Sequence, residues 1–308
     1  MVEASSRALL FLSNRVSRRD VGTQLALVQY YAKKEDAPRA MYHYDSAMRV
    51  SSDVEPVLFP ILAGTLEARN IQLALAPSIR RSPRWLPNFI YFIIGSGNNS
   101  GNLANAIMVA GGLPKQPDLY RNLETQILGA LANARDFEVL QAYYLSLKGA
   151  DISVFKSASF SNANTDPRYV PLAWQAYATP SVSTTMEYSG NARQKGMSIQ
   201  VSSGERAIAA SKLLFLASGK TLVSINYEFS EPGSDASTKF TLECLDADLP
   251  KTIWQLEIKA TPGANEAQSV ASVPEKCAVQ NLTINAAGGT ASQGMQMHVV
   301  GISLKQSG

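Results

Sequence analysis

Apolar residues recur at helical spacing through the first half of the chain and alternate with polar residues through the second half. A change of period held over more than a hundred residues on each side indicates two separately packed units. We therefore predict a multidomain protein of the α plus all-β class. Its helical domain covers residues 1–150 and its antiparallel β-sandwich covers residues 151–308.

The helical half opens with signals for a helical hairpin. The spacing of Ser17 and Asp20 predicts a capping box at the start of a first helix. Asp36 and Pro38 predict the cap and first turn of a second helix. Periodicity predicts three further hairpins over residues 53–81, 82–112 and 118–147, and the glycine-rich loop 95–101 is expected to connect two helices.

The first hairpin resembles a tetratricopeptide repeat. Leu27, Tyr31, Ala40, Tyr44 and Ala47 stand where that repeat places its leucine, aromatic and small residues, whereas Gln24 and Ser52 depart from its tryptophan and proline positions.

The resemblance implies a solenoid-like array of about four hairpins that binds a protein partner. In such a repeat the first helix faces the binding groove, so Gln29 and Lys33 are the expected groove residues.

After residue 150, short runs rich in β-branched and aromatic residues are separated by turn residues. The predicted strands lie at residues 152–160, 172–178, 182–189, 197–203, 209–217, 222–230, 239–245, 254–260, 267–273, 279–285 and 297–304. Strands at this spacing without intervening helices predict an antiparallel sandwich or jelly roll.

Both cysteines, Cys244 and Cys277, fall in this β half. Two cysteines in one β-domain indicate a disulfide and an oxidising compartment. Two buried free thiols in a cytosolic protein are the alternative.

The strand order over residues 195–305 resembles the jelly-roll modules that bind carbohydrate in many bacterial proteins. "PLAWQAY", "FTLEC" and "VPEKCAVQNLTI" also resemble a sphingomonad-type bacterial family of uncharacterised function, which joins tetratricopeptide-like helices to a C-terminal β-domain. In that family the two cysteines recur at matching places, which favours the disulfide.

A sugar-binding sandwich would use exposed aromatic rings, because their faces stack on the apolar faces of pyranose rings. The candidates are Trp254, Tyr227 and Tyr188, while Trp174 is expected to pack into the core. Tyr227 and Phe229 share one face of their strand, Asn226 and Glu228 share the other, and the pattern leaves open which face is core.

Catalytic groups are scarce. His43 and His298 lie in different predicted domains, so neither a metal site nor a cofactor is expected. A polysaccharide hydrolase or lyase is the alternative to a non-catalytic protein. It would need a carboxylate pair, and the available acidic residues are Glu228, Glu231, Asp246, Asp248 and Glu257.

Composition and the lengths of apolar runs limit the classes of partner and the compartments that we expect. A formal net charge of +3 is too small to indicate nucleic-acid binding. The longest apolar run, Phe89–Ile94, is far shorter than a membrane span, and the first residues do not form a signal peptide. A targeting segment or a membrane anchor would lie upstream.

We therefore expect a non-catalytic binding or assembly protein of the bacterial cell envelope, periplasmic or secreted. Its helices would dock a protein and its sandwich would bind a glycan or a protein. A sandwich that only caps the helical array remains a third interpretation.

Overall fold

The computed structural model describes residues 2–120, 122–188, 195–231, 235–245, 252–290 and 294–306. The chain divides into two compact units, a helical unit of residues 1–148 and a β unit of residues 149–308. The predicted boundary at residue 150 lies two residues from this division. No helix in the described ranges is long and apolar enough to cross a membrane.

The helical unit consists of short helices joined by tight turns. They are α1 (Val2–Val16), α2 (Val21–Ala32), α3 (Ala37–Val50), α4 (Glu55–Thr65), α5 (Arg69–Arg81), α6 (Leu86–Ser96), α7 (Ser100–Ala110), α8 (Pro117–Tyr120), α9 (Leu123–Asn133) and α10 (Phe137–Ser146). The predicted hairpins correspond to α2 with α3, α4 with α5, α6 with α7, and α9 with α10. The glycine-rich loop connects α6 to α7, as predicted.

The caps of the first hairpin differ in part from the prediction. Asp20 itself is the N-cap of α2, and its carboxylate accepts a hydrogen bond of 2.6 Å from the backbone N–H of Thr23. The capping box with Ser17 is therefore wrong, because the helix begins after Asp20. Asp36 caps α3 as predicted, accepting from the backbone N–H of Arg39 at 3.1 Å.

Helices packed side by side form the core of this unit. α3 packs on α2 and α5, α5 packs on α7, and α7 packs on α10. Leu27, Tyr44 and Ala47 are buried between α2, α3 and their neighbours, in agreement with the small and aromatic pattern. Gln24, at the position of the repeat's tryptophan, is fully buried and bonds to Asn14 at 2.9 Å and His43 at 2.8 Å.

The β unit contains two antiparallel sheets. Its strands are β1 (Gln175–Ala176), β2 (Val182–Tyr188), β3 (Lys195–Val201), β4 (Arg206–Leu214), β5 (Gly219–Glu231), β6 (Ser237–Cys244), β7 (Thr252–Lys259), β8 (Gly263–Val273), β9 (Gln280–Ala287) and β10 (Met295–Gln306). Sheet A has the order β1-β4-β9-β6-β7, and sheet B has the order β2-β3-β10-β5-β8.

The connectivity of these sheets is that of a jelly roll. β3 pairs with β10, β4 with β9, β5 with β8, and β6 with β7, each pair antiparallel. Such nested pairs, split between two packed sheets, define the double-sheet jelly roll. The predicted sandwich is therefore confirmed, and the apolar side chains of the two inner faces form one core.

The predicted strand at residues 152–160 is wrong. Residues Ile152–Phe155 form a 3-10 turn, and the chain continues without sheet pairing. Phe155, Ala158 and Phe160 are nevertheless buried. We call residues 155–174 the flanking segment, because Phe160 and Trp174 pack against the sandwich core beside β1 and β4. The apolar alternation there comes from packing onto the sandwich.

A disulfide joins Cys244, at the end of β6, to Cys277, which precedes β9. Their Cα atoms are 5.7 Å apart, and both residues are buried. Because β6 and β9 are neighbours in sheet A, the bond encloses β7 and β8 in a loop spanning 33 residues.

Candidate functional site

A hollow of about 380 Å³ lies where β10 passes the flanking segment. We call it the sheet B hollow. Its lining residues come from three places: the flanking segment, the start of β3, and the middle of β5 and β10. They are Ser159, Phe160, Ser161, Lys195, Asn226, Val300, Gly301, Ile302 and Ser303.

The hollow exists because one strand position carries no side chain. Gly301 of β10 lies opposite Asn226 of β5, and the register shifts between Val299 and Gly301. A Cβ atom built on Gly301 would meet nothing closer than the Asn226 Nδ2 atom at 4.0 Å. The bulge and the glycine together leave room for a ligand beside the backbone.

The polar lining offers hydrogen bonds of several kinds. It combines the amide of Asn226, the ammonium of Lys195 and the hydroxyls of Ser159, Ser161 and Ser303. Phe160, Val300 and Ile302 supply apolar surface. Lys195 is the charged residue of this lining, and the described lining contains no carboxylate or imidazole.

Buried contacts hold the flanking-segment wall of the hollow. The fully buried Lys212 of β4 faces the core and donates from Nζ to Asn164 Oδ1 at 2.9 Å and to the Leu172 carbonyl. Asn164 Nδ2 in turn donates to the Ser159 hydroxyl at 3.3 Å. A buried amine thus positions a residue that lines the hollow.

His298 lies on the outer face of sheet B, on the same strand as Gly301 of the hollow. It is opposite Glu228 and Ser198 in the strand register. A Cβ atom on Gly196 would come within 2.5 Å of His298 Nε2, so the imidazole ring lies over this glycine. Within the described ranges, Nε2 is buried without a hydrogen-bond partner. The missing side chain of Gly196 therefore makes room for the ring.

The structure places the predicted sugar-stacking aromatics in different environments. Trp254 and Tyr227 are only 7% and 8% exposed, and both belong to the sandwich core. Trp254 Nε1 donates to Ser269 Oγ at 3.3 Å, and burial raises the pKa of the Tyr227 hydroxyl. Neither ring offers an open face, which counts against stacking on a sugar. Trp174 is buried, as expected.

The backbone of Tyr188 lies close to the hollow. It ends β2 directly opposite Lys195, which lines the hollow, while its side chain lies outside the described residues. Its predicted role in glycan binding therefore remains a prediction attached to this region.

The two candidate carboxylates of the enzymatic alternative that the structure describes lie on different sheets. Glu228 is exposed on the outer face of sheet B, whereas Glu257 is exposed on the outer face of sheet A. The side chain of Glu231, together with Asp246 and Asp248, lies outside the described residues. Among the described residues, no group of three or more metal-binding side chains is present.

Hollows also lie among the described residues of the helical unit. One, of about 540 Å³, lies between the α2–α3 turn and the α4–α5 turn, and one of about 490 Å³ lies between α3 and α5. Gln29 and Lys33 are exposed at the end of α2 but are not among the lining residues of either hollow. Their role in partner binding remains a prediction.

The sequence pattern did not predict this site, because the main feature of the site is the absence of a side chain at Gly301. The glycine inside the run "VVGISL" was the available signal, since a glycine within a strand marks a bulge or a close approach. Lys212 also stands at a core position of the alternation between Ala210 and Leu214, which is a signal for a buried amine.

Comparisons with known proteins return structural similarities only. No family model and no curated protein matches the chain. Solved structures include the carbohydrate-binding module TmCBM61 in complex with β-1,4-galactotriose, at 10% identity and TM-score 0.33, which aligns over 52% of this chain and 97% of that one. A family 16 carbohydrate-binding module has 17% identity and TM-score 0.32, over 46% and 92% of the two chains.

A third similar structure is the C-terminal family 22 carbohydrate-binding module of Clostridium thermocellum Xyn10B. It has 14% identity and TM-score 0.31, over 44% of this chain and 87% of that one. All three similarities are too distant to identify a function for this chain.

Proposed function

We propose that this protein is a non-catalytic binding protein of the bacterial cell envelope, and that its β unit binds an oligosaccharide in the sheet B hollow. The observation that carries the proposal is the lining of that hollow. Its amide, ammonium and hydroxyl groups suit the hydroxyls of a sugar, and its apolar wall suits the C–H face of a pyranose ring.

The proposed compartment rests on the disulfide. Disulfides persist in oxidising environments such as the periplasm and the cell exterior, and they are rare in the cytosol. The bond between Cys244 and Cys277 therefore supports an extracytoplasmic protein.

Filling the hollow tests the glycan site. Gly301→Leu is expected to abolish binding, because the new side chain would occupy the hollow while the backbone there needs no left-handed conformation. Binding would be measured first on an array of bacterial and plant oligosaccharides, and then by calorimetry with the strongest ligand.

The matched control is Thr185→Leu, which adds the same side chain to an exposed position of β2 outside the hollow. It should bind like the wild type. The proposal fails if the wild type retains no sugar on the array, or if Gly301→Leu retains wild-type affinity. Tyr188→Ala would show whether this tyrosine contributes to the same site.

We also propose that the helical unit docks a protein partner through the exposed end of α2. The support is the exposure of Gln29 and Lys33 and the packed hairpins that present them. The Gln29→Ala/Lys33→Glu variant should lose a partner that the wild type captures in a crosslinking pull-down. A partner retained by both proteins would locate the docking surface elsewhere.

A further inference from the structure

We infer that β8, the edge strand of sheet B, pairs with β8 of a second copy of this chain to form a two-fold symmetric dimer. β8 runs over 11 residues, Gly263–Val273, and its other neighbour in sheet B is absent, since the sheet order ends at β8. Among the described residues, no strand bonds to the outer edge of β8.

The open edge has a defined chemistry. In a strand paired on one side, about half of the backbone N–H and C=O groups point away from the sheet. β8 pairs with β5 without a register shift from Val273 to Gly263, so these groups form a regular row. The natural complement of such a row is another β-strand.

Features that commonly protect edge strands are missing from β8. It contains no proline, no lysine and no bulge, and its one charged residue is Glu266. The edge strand of sheet A is different: β7 is shorter, ends in Lys259, and its pairing with β6 has a register shift. Short strands, lysines and irregular pairing discourage strand addition, so β8 suits a partner strand better than β7 does.

The sequence of β8 is compatible with its own copy. Ala264, Gln268, Val270 and Ser272 share the exposed outer face with Glu266. Because β8 has a single charged residue, like charges lie opposite each other in an antiparallel pair of β8 strands only when the pairing is centred on Glu266. In every other register this repulsion is absent. β7 contacts β8 through a hydrogen bond between the side chains of Trp254 and Ser269 on the core side.

Charge exchange tests the pairing. The acidic variant Gln268→Glu/Val270→Glu has three glutamates on one face of β8, and the basic variant Glu266→Lys/Gln268→Lys/Val270→Lys has three lysines. Analytical ultracentrifugation of the full chain should show a wild-type dimer. Each variant alone should dissociate with a dissociation constant raised about tenfold or more, because like charges oppose each other across the interface.

Mixing the acidic and basic variants should restore the dimer, since opposite charges then face each other. Amide hydrogen exchange in residues 263–273 of the wild type should slow as protein concentration rises. The control Ser183→Glu/Thr185→Glu places charges on exposed positions of β2, the opposite edge of sheet B, and should dimerise normally. Circular dichroism would verify that every variant folds.

The inference is overturned if the wild type stays monomeric up to millimolar concentration, or if the acidic variant dimerises like the wild type. It is also overturned if the β2 control alone becomes monomeric. Protection of the β8 amides by a different protein, without self-association, would replace the second copy with another strand donor.

Discussion

Replacing Cys244 and Cys277 with alanine is expected to lower the free energy of unfolding of the β unit by about 3–4 kcal/mol. The disulfide closes a loop spanning 33 residues, and in the chain-entropy model such a crosslink restricts the unfolded chain. Pulse proteolysis across a urea gradient, with the β unit followed by mass spectrometry, would measure the change in the full-length protein.

Reduction provides an internal control for this experiment. Dithiothreitol should destabilise the wild type by a similar amount and should leave the double alanine variant unaffected. A variant within about 1 kcal/mol of the wild type would contradict the expected contribution of the disulfide.

The stability of the β unit is expected to rise with pH between 7 and 9 because of Lys212. Desolvation in the core lowers the pKa of this amine from 10.5 to about 7. The unfolded chain therefore binds more protons than the folded chain between these two values, so stability increases as pH rises through that window. The expected gain from pH 7 to pH 9 is about 2 kcal/mol.

The hydrogen bonds agree with a neutral amine. A neutral amine has two N–H bonds, and the structure gives Nζ two acceptors, Asn164 Oδ1 and the Leu172 carbonyl. The third N–H of an ammonium group would have no acceptor within the described ranges, which makes protonation of Lys212 in the folded state costly.

Lys212→Met should remove this pH dependence, because methionine retains the length of the side chain without a titrating group. Lys239→Met is the matched control, since Lys239 lies on the outer face of the same sheet and should leave the slope unchanged. Urea unfolding at pH 7, 8 and 9 would compare the three proteins. An equal slope in Lys212→Met and the wild type would assign the effect to another group.

The secondary structure was largely predictable because the two halves have different periods. In the α2–α3 hairpin, the small and aromatic stripe and the Asp36 cap predicted both helices and their packing. In the β half, alternation predicted nearly every strand, since one face of each strand is buried in a common core. The helix α1 was not predicted from its short apolar stretch.

The faces of the strands were harder to assign. Alternation in β5 separates Tyr227 and Phe229 from Asn226 and Glu228, but the period alone does not say which pair is buried. The structure buries the aromatic pair, because both rings fill the space between the sheets. Aromatic residues that suggest sugar binding in the sequence therefore serve the core, and the hollow is formed by Gly301 and its polar neighbours.

Long-range contacts explain the remaining differences. The flanking segment alternates like a strand at Ala158 and Phe160 because these two residues belong to the sandwich core. Asn164 is fully buried, and its Oδ1 atom accepts a hydrogen bond from Lys212, 48 residues later in the chain. The alternation marks Lys212 as a core position of β4, but Asn164, which accepts its hydrogen bond, cannot be identified as its partner from local sequence.

The position of β10 affects how the protein is made. This strand lies in the middle of sheet B, between β3 and β5, although it is the last of the described strands to be synthesised. Until β10 has left the ribosomal exit tunnel, β3 and β5 each lack a neighbour on one side. The helical hairpins consist of local contacts and can form during translation, whereas sheet B cannot be completed until Gln306 has emerged.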